Sequence, residues 1–73
     1  MITTQTSLTA KASEWNGYGR AFDNVVEKLW RRVRDEFGYS ADLEISVFEM
    51  TDQWVEDGYL FVSVDITFTV SRP

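Results

Sequence analysis

The chain has 73 residues and a mass of 8.5 kDa, with hydrophobic residues at 44% and charged residues at 26%, which fits a single globular domain spanning residues 1–73. It contains no Cys and no His, which excludes disulfides, thiolate or imidazole zinc sites, thiol nucleophiles and imidazole bases. A net charge of −5 argues against direct binding to nucleic acid or to anionic membranes, since both attract basic surfaces.

In chain order, residues 2–12 alternate loosely, with Ile2, Thr4, Thr6, Leu8 and Ala10 on one face and Thr3, Gln5, Ser7, Thr9 and Lys11 on the other. This predicts a half-buried strand at a sheet edge. Gly17 and Gly19 interrupt the pattern as a loop or loose first helical turn. From Tyr18 to Phe37 the period becomes helical: Phe22, Val25, Val26, Leu29, Trp30, Val33 and Phe37 fall in one stripe, and Gly38 closes the helix. Residues 42–56 predict a second strand in which Leu43, Ile45 and Val47 alternate with polar neighbours before the phase slips, as a bulge near Val47–Glu49 would explain. Asp57-Gly58 signals a hairpin. A third strand follows, with Leu60, Val62, Val64, Ile66, Phe68 and Val70 on one face, and its apolar character places it centrally. The expected fold is α+β, a β-α-β-β domain with one helix on a three-stranded, largely antiparallel sheet.

One helix covers one sheet face, so the opposite face is where an interaction surface is sought. A two-residue Asp57-Gly58 turn sets Phe61 across from Trp54 and Tyr59 across from Glu56; counting by twos from Trp54 adds Met50 and Phe48 to the same face. Uncovered aromatic clusters of this kind mark interfaces; the alternative is that the bulge turns Phe48, Met50 and Trp54 under the helix as core. Residues 40–73 carry a net charge of −6 and residues 1–39 a net of +1. The expected partner-binding surface is therefore Phe48, Met50, Trp54, Tyr59 and Phe61 with Glu44, Asp52, Glu56, Asp57 and Asp65. Such an acidic, aromatic face suits a protein partner, including a nucleic-acid-handling one with a basic groove. The alternative is that the acids only keep the sheet soluble and prevent edge pairing.

Candidate chemistry is sparse. Gly17-Tyr18-Gly19-Arg20-Ala21-Phe22 sits where a dinucleotide fingerprint begins, but Phe22 occupies the third glycine position. Asp52, Glu56 and Asp57 lack the spacing of a calcium loop, and paired carboxylates on an exposed hairpin have nothing to tune them. No catalytic residue, metal or cofactor is expected. The segment Met1-Ile2-Thr3-Thr4-Gln5-Thr6-Ser7 lacks the pattern of a secretory signal, and Leu60-Phe61-Val62 is far short of the ~20 apolar residues of a membrane span. A cytoplasmic protein is expected.

Ala21-Phe22-Asp23-Asn24-Val25-Val26-Glu27-Lys28-Leu29, Glu56-Asp57-Gly58 and Ser63-Val64-Asp65-Ile66-Thr67-Phe68-Thr69-Val70 resemble the helix, hairpin and last strand of the dodecins, small flavin-storing proteins that assemble as hollow dodecamers. The resemblance implies a homo-oligomer. Where that family places its flavin-stacking Trp, this chain has Asp42 and Leu43, and Phe61 falls near the position of its flavin-contacting Gln. Two functions follow as expectations: a non-enzymatic inhibitor or adaptor of the phage or mobile-element type, in the style of anti-CRISPR proteins and nuclease inhibitors, or a dodecin-like oligomeric small-ligand protein.

Overall fold

The computed structural model describes residues 1–71 and contains β1 (Ile2–Ser13), a short 3-10 turn (Glu14–Asn16), α1 (Gly17–Phe37), β2 (Asp42–Glu56) and β3 (Tyr59–Ser71). The strands form one antiparallel sheet in the order β1-β3-β2. The strand with the cleanest apolar alternation is thus the central one, paired on both sides. The α+β expectation holds, and α1 starts at Gly17, one residue ahead of the predicted start.

The core follows from the two periods. Val25, Leu29 and Val33 lie on one face of α1 and are buried, as are Val62, Val64, Ile66, Phe68 and Val70 on alternate positions of β3. Ala10 and Ala12 of β1 and Ala21 of α1 are buried with them. Small side chains at these places let the helix approach β1 closely. Fully burying each of Val25, Leu29 and Val33 is worth about 1.5–3 kcal/mol against exposure. At the hairpin, Asp57 and Gly58 have φ of 52° and 79°, so both central residues adopt the left-handed region that a two-residue turn requires.

The helix is also held at its flank. Asn24, Lys28 and Arg32 stand four residues apart and so line one side of α1. Asn24 Nδ2 donates to the Lys11 carbonyl at 2.9 Å and Lys28 Nζ to the Thr9 carbonyl at 2.6 Å, while Arg32 Nη1 donates to Thr6 Oγ1 at 2.6 Å. These donors tie α1 to the outer edge of β1. The opposite flank is apolar, and there Phe22 meets Phe48 of β2 edge-on, with ring centroids 5.8 Å apart.

β2 carries two irregularities rather than one. Its register against β3 shifts between Ile45 and Val47 and again between Met50 and Asp52. Ser46 and Thr51 are the extra residues. Their hydroxyls donate to the β3 carbonyls of Thr67 and Ser63 at 3.1 and 3.2 Å, so each bulge keeps a polar tie to the neighbouring strand. The predicted single bulge at Val47–Glu49 is corrected to this pair. The molecule is elongated, 42 × 21 × 15 Å, with a radius of gyration of 13.2 Å.

Candidate functional site

Each bulge reverses the phase of β2, and two of them sort its side chains completely. Residues paired with the buried positions of β3 lie on the helix side: Leu43, Ile45, Phe48, Met50, Gln53 and Val55. Residues paired with the other β3 positions lie on the open side: Asp42, Glu44, Val47, Glu49, Asp52, Trp54 and Glu56. Every acid of β2 is therefore on the open face, and that face contains no base from this strand. Without the bulges, one straight alternation would have mixed the two sets.

This overturns one part of the predicted surface. Phe48 and Met50 do not share a face with Trp54 and Phe61; they lie on the helix side, because the bulge at Thr51 breaks the count by twos from Trp54. Nor are they core. Phe48 is 38%, Met50 42% and Val55 53% exposed, although all three are on the face that the helix covers elsewhere. The cause is the seating of α1 over β1 and β3, with its polar flank tied to β1. Phe22 reaches across to Phe48, and Leu43 and Ile45 pack half-buried against the core further along β2.

The register expected from the Asp57-Gly58 turn is found. Trp54 pairs with Phe61 and Glu56 with Tyr59. The Trp54 and Phe61 rings are stacked, 5.1 Å between centroids and 2° between planes, an arrangement worth roughly 0.5–1.5 kcal/mol beyond the area it buries. Lys11, opposite Phe61 on β1, places its Nζ 4.6 Å from the Tyr59 ring centroid and 6.0 Å from that of Phe61. A row of cation, ring and ring thus runs across the three strands near the hairpin. Asp52 and Glu56 flank Trp54 along β2, and Asp57 sits in the turn. Glu49 lies directly opposite Asp65, a like-charge cross-strand pair that costs energy. Glu44 is on the same face but pairs with Thr69, near the far end of the sheet; it does not join the cluster.

Towards β1 the open face is a ladder of hydrogen-bonded polar side chains. Thr3 and Thr69 share a hydrogen bond, Gln5 Nε2 donates to Thr67 Oγ1, Ser7 Oγ donates to Asp65 Oδ1, and Thr9 and Ser63 share another. This half of the face is saturated and flat in chemistry. On this face the uncovered apolar and acidic groups are concentrated on β2 and the hairpin, while Trp15 and Tyr39 are exposed elsewhere. The basic run of α1 lies elsewhere, with the Arg34 guanidinium 5.3 Å from the Trp30 ring and 5.9 Å from that of Tyr39.

Sequence reasoning missed Val47, Val55 and Phe22 as members of this surface. Phe22 lies near the middle of the helical stripe, so the periodicity carries no signal that its ring meets Phe48. Among the described residues no group of three or more metal-ligating side chains gathers to hold an ion, and no helix is long and apolar enough to cross a membrane. Comparison with family models, with curated proteins and with solved structures gave no match.

Proposed function

We propose that the chain is a non-enzymatic, cytoplasmic protein-binding module, an inhibitor or adaptor of the kind that phages and other mobile elements direct against host or defence proteins, in the manner of anti-CRISPR proteins or nuclease inhibitors. One observation carries the reading. β2 exposes apolar side chains on one face and all of its acids on the other, beyond the cover of the only long helix among the described residues. On the open face the acids also flank Val47, Trp54 and Tyr59, and exposed apolar area rimmed by charge is the composition of a recognition surface. Its acids favour a partner with a basic face and speed the encounter with it.

Affinity capture from the native host with the wild-type chain, Glu49→Lys/Glu56→Lys and Phe48→Ser tests this. The partner is lost with both hairpin variants and kept with Arg31→Ala on the helix. Retention by the hairpin variants overturns the reading.

A second reading is a dodecin-like homo-oligomer. It is favoured by the element order together with the bare helix-side strip of β2, which a neighbouring copy can cover. Light scattering decides it: a multimer near twelve copies supports it, and a monomer at working concentration rules it out.

A further inference from the structure

The sheet has two outer edges, and they are chemically unlike. On β1 the edge carbonyls of Thr9 and Lys11 accept hydrogen bonds from Lys28 and Asn24. On β2, Ser46 and Thr51 donate inward to β3, and among the described residues the one side-chain bond to an edge amide is local, from Gln53 N–H to Asp52 Oδ1 at 2.8 Å. No strand among the described residues lies beyond β2. A strand edge with free backbone groups is a template for pairing with another chain.

The side chains decide what can pair there. After its second bulge β2 runs regularly from Asp52 to Glu56. A strand laid along that edge meets Asp52, Trp54 and Glu56 on its open side, with Glu49 and Asp65 close behind, and meets Val55 and Met50 on its helix side. A second copy of β2 is a poor fit, because its acids would stand against these acids. A strand alternating between basic and apolar residues fits both rows. Its basic residues relieve the Glu49–Asp65 opposition and lie against the indole face of Trp54 that Phe61 leaves open.

We infer that the outer edge of β2, from Asp52 to Glu56, adds an extended segment of a partner protein in which basic and apolar residues alternate. The inference rests on the protein-binding function proposed above and specifies its mode. The acids of β2 then serve two purposes at once: they repel copies of this chain and select a basic strand.

The test titrates the isotopically labelled full chain with three short probe peptides and follows amide shifts and hydrogen exchange. One peptide alternates lysine and valine, one has the same composition with all lysines preceding all valines, and one alternates glutamate and valine. The alternating lysine–valine peptide should bind at least about tenfold more tightly than the block isomer, a difference of about 1.4 kcal/mol, and should slow exchange of the Val55 amide. Val55→Pro removes an edge N–H at a position where an edge strand tolerates proline; checked as folded by circular dichroism, it should lose that binding, as should Glu49→Lys/Glu56→Lys. Equal binding of the block isomer, shifts centred on α1, or pairing of the chain with itself through β2 to the exclusion of the peptide would each overturn the inference. If capture of the natural partner depends on the hairpin while the alternating peptide is ignored, strand addition falls and the protein-binding function stands.

Discussion

The two edges of the sheet are built from strands of similar length, yet one is tied in part to the helix and the other is not. β1 keeps a plain alternation, packs Ala10 and Ala12 against the helix and has outer carbonyls engaged by Asn24 and Lys28. β2 is bulged twice, acidic on one side and apolar on the other, and touches the helix through Phe48 against Phe22. Edge protection on β1 is therefore supplied by the helix, and on β2 by irregularity and charge, two different solutions to the same hazard. The first occupies the edge carbonyls of Thr9 and Lys11. The second closes its edge only to strands of the wrong charge.

The sharpest way to break this contrast is to compare truncations at the covered and uncovered ends of the same face. Leu29→Ala, in the core above β1 and β3, should lower unfolding free energy by about 2–5 kcal/mol, whereas Met50→Ala, already 42% exposed, should cost less than about 1.5 kcal/mol. Urea unfolding of both variants checks it, and equal losses would place β2 under the helix after all. A double-mutant cycle on Phe22→Ala and Phe48→Ala should return a coupling of about 0.5–1.5 kcal/mol; a value near zero would detach the helix from β2 altogether. Replacing Lys28 by Met together with Asn24→Ala should cost roughly 1 kcal/mol, since exposed hydrogen bonds contribute little. Its clearer signature is faster amide exchange along β1 and the appearance of concentration-dependent association. The smallest thermodynamic effect is expected from deleting Thr51. The extra residue of a bulge can leave without reversing either face, so the fold should survive within about 1 kcal/mol, while the straightened edge should raise self-association measured by light scattering.

Much of this architecture is legible in the amino-acid order. The 3.6-residue stripe of α1, the strict alternation of β3 and Asp57-Gly58 each have a local physical cause, and the Trp54–Phe61 and Glu56–Tyr59 pairings follow from the turn. The faces of Phe48 and Met50 do not. Met50 is followed by Thr51, Asp52 and Gln53, three polar residues in a row, so the second phase change leaves no apolar marker where it occurs. The lateral seating of the helix is also not periodic information. It depends on Asn24, Lys28 and Arg32 finding acceptors on β1, and although their four-residue spacing is visible, the strand they reach is set only by tertiary packing. The acids could be counted beforehand; that they share one face required both bulges.

The long hairpin has a hydrodynamic consequence. A compact chain of this length would have a radius of gyration of about 11 Å, against the 13.2 Å found here, so the molecule drags through solvent like a short rod. On a gel-filtration column calibrated with spherical standards a single copy elutes early, and its apparent mass overstates the number of subunits. Stoichiometry therefore has to come from scattering or sedimentation equilibrium, whose readings are independent of friction.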